Sequence, residues 1–339
     1  MTYHPVFQRS AKLVRHLAET TSVNMWIQQQ LVDVSWVAST QREALIRLAH
    51  FSTRIEGNPL TLPEVEALAA GQVVHVADRA KQEVLNYFSA LRWIWQKSPP
   101  TGFQESHLLK LHVLLTKGLL PLAEVGTYKT KPNAVFGGGK IIYRPPPPEI
   151  APQLTKALLV WINGSSARAE HPIVAAAVAH HRLVSIHPFM DGNGRITRAL
   201  ESWMLYRRGF DTHHIFALDE FFESDRARYY REIQIVREQG EDLTGWLEYI
   251  SEAVLATLRK TQARIQSLKI KKPRMKIVLN AQQERIMQTL QHVSRIRGGE
   301  LARALHLSRA HLSKLLAPLV KSGLVVKEGS TKAASYRME

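Results

Sequence analysis

The sequence predicts a mainly α-helical protein with one short β-hairpin inserted and a separate C-terminal unit, and three observations predict it. Apolar residues recur every three or four positions over most of the chain, as in Leu45, Leu48 and Ala49, and in Val84, Tyr87, Phe88, Leu91 and Ile94. That is the spacing of one helix face. The rhythm lapses between Gly126 and Pro148, where Gly137 to Gly139 precede Ile141, Ile142 and Tyr143, and prolines follow from Pro145. A turn, a strand and a stiff exit are expected there. From about Ala281 the pattern becomes three short helices and a hairpin.

Taken in order, the first hundred residues read as helical, and Pro99, Pro100, Thr101 and Gly102 punctuate the chain. A new helical pattern carries Leu108, Leu109, Leu111, Leu114 and Leu115. Helices are expected over 149–163 and 172–186, where Ala175 to Ala179 permit close approach of a neighbour and Pro188 is a stop. Further helices are expected over 196–208, 221–237 and 243–268. The expected organisation is an N-terminal helical region 1–102, a core 103–258, a basic helical linker 259–276 and a C-terminal domain 277–339.

Composition narrows the function classes. There is no cysteine, which excludes disulfides, thiolate nucleophiles and thiolate metal sites, so catalysis must rest on oxygen and imidazole groups. No apolar run is long enough to span a bilayer, and Met1 to Lys12 lack an apolar signal region, so no membrane association and a cytoplasmic location are expected. The net charge of +16 favours polyanionic partners. Between Arg259 and Lys276 eight basic residues stand without an acidic one.

The chemistry concentrates in the segment from His187 to Arg198, His-Pro-Phe-Met-Asp-Gly-Asn-Gly-Arg-Ile-Thr-Arg. Glycines around Asn193, followed by a helix start, make an anion nest of inward-turned amides. Arg195 and Arg198 lie three apart, hence on one helix face, with bidentate donors for phosphates. Asp191 is a hard oxygen ligand of the kind Mg²⁺ prefers. His187, with an ordinary pKa near neutrality, suits a general base.

With every fixed position filled, this segment resembles the Fic family signature His-Pro-Phe-x-Asp/Glu-Gly-Asn-Gly-Arg-x-x-Arg. Gly126-Thr127-Tyr128-Lys129 stands at the family's Gly-x-Tyr-Arg place, with lysine for arginine, His180 stands at the histidine before the motif, and Tyr229 and Tyr230 form a later aromatic pair. The resemblance implies a Fic-type helical core and ATP- and Mg²⁺-dependent transfer of AMP to protein Ser, Thr or Tyr hydroxyls. In that mechanism His187 is the base and Asp191 holds the metal. Gly192, Asn193 and Gly194 cradle the α- and β-phosphates, and Arg195 and Arg198 neutralise the leaving group. Tyr229 and Tyr230 are candidate adenine contacts. Lys140, Ile141 and Ile142 belong to a flap that pairs with an extended target segment.

Upstream, Ser52-Thr53-Arg54-Ile55-Glu56-Gly57-Asn58 resembles the family's inhibitory motif, Ser/Thr-x-x-x-Glu-Gly/Asn, in its N-terminal placement. The resemblance implies a bidentate pair between Glu56 and Arg198 that keeps ATP out of the productive pose. Holding activity near 1% takes roughly 3 kcal/mol. The same carboxylate is a candidate base for removing AMP, a secondary expectation.

The C-terminal pattern resembles a winged helix-turn-helix, with Ser308 as N-cap of the third helix and Gly323 as its stop. Pro318 inside that helix is an irregularity. Arg309, His311 and Lys314 then face a DNA groove, and Lys332 and Arg337 meet phosphates from the wing. A DNA-binding regulator whose core only senses nucleotide is the alternative reading. The protein substrate is unassigned; self-modification and a homodimer are further expectations.

Overall fold

A computed structural model describes residues 2–30, 37–96, 102–211, 214–271, 279–291, 293, 295–329 and 334–338. Helices α1 (Ala11–Gln30), α2 (Val37–Ile55), α3 (Leu62–Ala69) and α4 (Asp78–Gln96) open the chain, followed by α5 (Glu105–Thr116). The hairpin β1 (Val135–Gly137) and β2 (Lys140–Tyr143) comes next. Helices α6 (Ala151–Asn163), α7 (Ser165–Ala169), α8 (Pro172–Ile186), α9 (Asn193–Arg207), α10 (Asp219–Ser224), α11 (Arg226–Glu238) and α12 (Thr244–Lys271) complete the core. The C-terminal unit comprises α13 (Ala281–Gln291), β3 (Ile296–Arg297), α14 (Gly298–Ala304), α15 (Arg309–Lys321), β4 (Val325–Glu328) and β5 (Ser335–Met338).

Periodic apolar faces build the core as expected. On α4, Val84, Tyr87, Phe88, Leu91 and Ile94 are all buried, each contributing about 1.5–3 kcal/mol relative to exposure. Ala175 to Ala179 are fully buried on α8, and their small side chains let α9 pack close. One hydrophobic cluster runs from Leu13 to Ile265 and a second from Ile286 to Met338. The boundary expected at residue 259 falls inside α12. There Leu258 and Ile265 belong to the first cluster, while Arg259, Lys260 and Arg264 pair with Glu19, Glu220 and Glu43. These three basic residues therefore face core carboxylates; the side chains of Lys269 and Lys271, and residues 272–276, lie outside the described residues.

Helix α9 starts at Asn193, three residues before its expected start, because Gly192 takes the left-handed conformation (φ 81°) as its N-cap. Where one helix was expected over 221–237, α10 and α11 are separated at Asp225, whose side chain accepts from the Arg228 amide at 2.9 Å. The β1–β2 turn places Gly138 and Gly139 at φ 57° and 77°, the primed turn that glycine permits and that suits hairpin twist.

In the C-terminal unit the strands form an antiparallel sheet in the order β3-β5-β4, packed with three helices around Leu301, Leu312, Leu316 and Leu319. Ser308 caps α15 by accepting from the His311 amide, and Gly323 (φ 75°) ends the chain's run past it. Pro318 is tolerated within α15. Residues 330–333, including Lys332, lie outside the described residues. No described helix is long and apolar enough to cross a membrane.

Candidate active site

The site forms where α8 ends and α9 begins. His187 caps α8 in the left-handed region (φ 50°, ψ 58°), a strained position for an imidazole. Its Nδ1 lies 3.1 Å from the Val184 carbonyl. A carbonyl only accepts, so Nδ1 carries the hydrogen and Nε2 keeps its lone pair. Burial lowers the His187 pKa to about 4, opposed by the Val184 hydrogen bond and assisted by Lys129 and Arg237. The expectation of a near-neutral pKa is corrected: the ring is neutral at pH 7 because desolvation disfavours the imidazolium.

The loop between the helices is held from several sides. Asn193 is buried, its Oδ1 accepting from the Phe189 amide at 3.0 Å and its Nδ2 donating to the Phe189 carbonyl at 2.8 Å. Its side chain therefore shapes the nest, in place of the expected grip on phosphate, and the α9 amides are the groups suited to an anion there. His112 on α5 stacks on Phe189, at 4.0 Å between ring centroids. It accepts from the Gly126 amide through Nδ1, and its Nε2 lies 3.1 Å from the Asp191 carbonyl. Lys129 donates its amide to Pro188 and its ammonium to Asn133 at 2.8 Å, and Asn133 donates to the Phe189 carbonyl at 2.9 Å. Local reading missed His112 and Asn133, because nothing in their spacing ties them to the motif.

Helix α9 is buried on most of its circumference, which draws charged groups inward, and each finds partners. Arg195 pairs with Glu83 of α4 and, at 3.2 Å, with Asp191. Arg198 donates Nε to the Ser52 hydroxyl at 2.9 Å and Nη2 to both the Ser52 carbonyl and Glu56 Oε1, each at 2.8 Å. Asp219 of α10 lies 3.4 Å from the same Nε. Burial pushes the Asp219 carboxyl up to about 7. Burial alone lowers the Arg198 pKa, but Glu56 and the other acidic groups around it hold the guanidinium charged. The expected bidentate pair is corrected: Glu56 meets Arg198 through one oxygen at Nη2, which it shares with the Ser52 carbonyl, while Nε goes to the Ser52 hydroxyl.

Gly57 (φ 95°) ends α2 and presents Glu56 at the nest. A Cβ built on Gly194 would collide with Glu56 Oε1 and lie 3.1 Å from Arg198 Nη1, so carboxylate and phosphate site share one space. Arg198 Nη1 is buried without a hydrogen-bond partner, an orphaned donor beside the nest. Anionic oxygens fit there.

Asp191 is about half exposed at the mouth, with Oδ1 accepting from Gly192 at 2.5 Å. No group of three potential metal-ligating His, Asp or Glu side chains occurs among the described residues. A single open carboxylate fits Mg²⁺, which completes its shell with waters and substrate phosphates.

One aromatic expectation is corrected. Tyr229 is buried, its hydroxyl 2.9 Å from His180 Nε2, while His180 Nδ1 lies 2.7 Å from Glu201; the ring is core and unavailable to a base. Tyr230 is partly buried, with its hydroxyl donating to the Ile55 carbonyl behind the inhibitory helix. At the hairpin, Lys140, Ile141 and Ile142 are exposed, and Phe136 is 66% exposed. Tyr143 anchors it by donating to the Ser185 carbonyl at 2.8 Å and lying under the Arg237 guanidinium. On α15, Arg309 and Lys314 are exposed, whereas the His311 ring turns to Gln282 of α13 at 2.9 Å, away from the role expected for it.

The Fic/DOC family model matches residues 102–205, which contain the hairpin, α8 and the motif. "Protein adenylyltransferase Fic" of Drosophila virilis is 27% identical over 262 residues, 74% of this chain and 50% of that protein. Its namesake in Aedes aegypti is 27% identical, covering 74% and 49%. The chain thus spans about half the length of these relatives. In fold, a Fic family protein from Desulfovibrio desulfuricans G20 superposes with a TM-score of 0.70 at 24% identity, covering 99% of this chain and 98% of that one. Fic-1 from C. elegans gives a TM-score of 0.62 at 24% identity, covering 75% and 73%. With the signature intact, residues 102–205 match the Fic/DOC family, and the helical core around them is similar to that of Fic proteins.

Proposed function

We propose that this protein transfers AMP from ATP to a hydroxyl group of a protein target and that Glu56 holds it in an inhibited state. The observation that carries the reading is the juxtaposition of a neutral His187, whose Nε2 lone pair is free of the Val184 bond, with a nest in which Arg198 Nη1 lacks a partner. His187 Nε2 takes the proton of the attacking Ser, Thr or Tyr hydroxyl as its oxygen bonds to the α-phosphorus. Pyrophosphate leaves toward the α9 N-terminus, where the amides and the two arginines oppose its growing charge. Asp191 would hold Mg²⁺, which when bound neutralises phosphate charge. The exposed hairpin edge supports docking of an extended target segment. A cytoplasmic setting accords with the cysteine-free composition.

The test is transfer of label from α-labelled ATP with Mg²⁺ to lysate proteins by wild type, Glu56→Gly and Glu56→Gly/His187→Ala. Label with Glu56→Gly that vanishes in the double variant is expected; no label in any of them overturns the reading. Faster release of AMP from modified target by wild type than by Glu56→Gly would assign Glu56 to removal as well.

We further propose that the C-terminal unit is a winged helix that contacts DNA. Arg295, Arg297, Arg303 and Arg309 line one groove, a polyanion-binding feature that supports it. Duplex binding that weakens steeply with salt, and weakens at fixed salt in Arg303→Ala/Arg309→Ala, is expected. Unchanged binding in that variant would leave the groove without this role.

A further inference from the structure

The two arginines of the motif meet two different carboxylates, and only one of those belongs to the inhibitory motif. Arg198 meets Glu56; Arg195 meets Glu83, which stands on α4. The Arg195 side chain is 5% exposed and that of Glu83 17%, so this pair is better shielded on its acidic side than the gate pair, where Glu56 is 30% exposed. Screening weakens it less.

Glu83 also touches the inhibitory segment itself. Its Oε2 accepts from Asn58 Nδ2 at 2.7 Å, while Oε1 faces Arg195. Asn58 is buried two residues beyond Glu56, donates to the Ala80 carbonyl at 3.0 Å and accepts from the Leu60 amide at 3.1 Å. Its own amide closes the last turn of α2 on Thr53 at 3.1 Å. One carboxylate thus joins the turn that presents Glu56 to the arginine on the other side of the nest.

We propose that Glu83 is a positioning residue of the inhibited state: through Asn58 it fixes the turn that carries Glu56, and through Arg195 it withholds the second guanidinium from nucleotide phosphates. This rests on the adenylyl-transfer reading above. Phosphate entry then has to displace two carboxylates. Gln at this position cannot reproduce the arrangement, because its amide accepts at one end and donates at the other, whereas Asn58 Nδ2 and Arg195 both need an acceptor.

The test compares Glu83→Gln in the wild-type and Glu56→Gly backgrounds, reading label transfer from α-labelled ATP, the KM for ATP, and melting temperature. Expected is a rise in transfer of roughly three- to tenfold over wild type with a lower KM, as loss of one charge-assisted contact allows. In the Glu56→Gly background the further gain should be below about twofold, since coupled groups act non-additively. A purely structural role would lower the melting temperature without lowering KM. Transfer at or below wild type, or a loss in both backgrounds, overturns the proposal and assigns Glu83 to holding Arg195 for catalysis. Should Glu83→Gln fail to fold, Asn58→Ala cuts one of the two links and carries the same expected sign. If Glu56→Gly itself transfers nothing, the reading of the site fails; activity in Glu56→Gly without a Glu83→Gln effect fails this inference alone.

Discussion

Glu56 Oε1 lies 2.8 Å from Nη2 of Arg198 and over the Cα of Gly194, so the gate occupies the volume that phosphate oxygens would need. On the proposed reading, inhibition is competition for one guanidinium and one space. Replacing Glu56 by Gln keeps much of the bulk and removes the charge, whereas Gly removes both. The expected order of AMP transfer is therefore Glu56→Gly above Glu56→Gln above wild type, with the Gly variant on the order of 10- to 100-fold over wild type. Initial rates across a range of ATP concentrations check it; equal rates for Gln and Gly would make charge alone the gate.

The base should work over an unusually acidic range. His187 must be neutral to accept a proton, and its pKa of about 4 keeps it so well below neutrality. Activity should hold as pH falls and be lost only on approaching that value. Burial is the main cause; Lys129 and Arg237 push in the same direction, and Glu56 opposes them. Removing Glu56 should therefore move the acid limb of kcat/KM lower still. Profiles of wild type, Glu56→Gly and Glu56→Gln from pH 4 to 8, normalised to their maxima, report it; an acid limb centred near pH 6.5 in all three would refute a buried, desolvated base.

What was legible in the sequence is what local chemistry decides. Pro172 and Pro188 bracket α8 because proline starts and stops helices, and Gly138-Gly139 forms its turn because glycine tolerates positive φ. Glu56 and Arg198 are 142 positions apart, and only resemblance to a family linked them. Glu83, His112 and Asp219 escaped notice because α4, α5 and α10 reach the site by tertiary packing, and each lies in an ordinary helical pattern. Adjacent helix positions point about 100° apart, so although the two rings touch, Tyr229 is buried and Tyr230 stays partly exposed. Sequence alone did not say which of them turns toward His180.

That division predicts how Tyr229→Phe behaves. Its hydroxyl meets the fully buried His180, so removing it leaves an imidazole nitrogen unsatisfied, at a cost on the order of 1–3 kcal/mol. Melting temperature should fall while the KM for ATP, measured in the Glu56→Gly background, stays unchanged. A raised KM with unaltered melting would return this ring to the nucleotide.

Lys129 stands where relatives of this signature carry arginine, and the exchange has a consequence at alkaline pH. Burial lowers its pKa to about 8, within reach of assay conditions, whereas an arginine there would stay charged. Its ammonium donates to Asn133, which in turn holds the Phe189 carbonyl in the catalytic loop. As pH rises through 8 the charge is lost, the bond to Asn133 weakens from a charge-assisted to a neutral one, and a cation facing His187 disappears. Transfer by Glu56→Gly should therefore decline above about pH 8, and Lys129→Arg in that background should hold its rate to about pH 9.5. Superimposable alkaline limbs in the two proteins would show that Lys129 braces the loop by its hydrogen bond alone, with its charge contributing nothing to the rate.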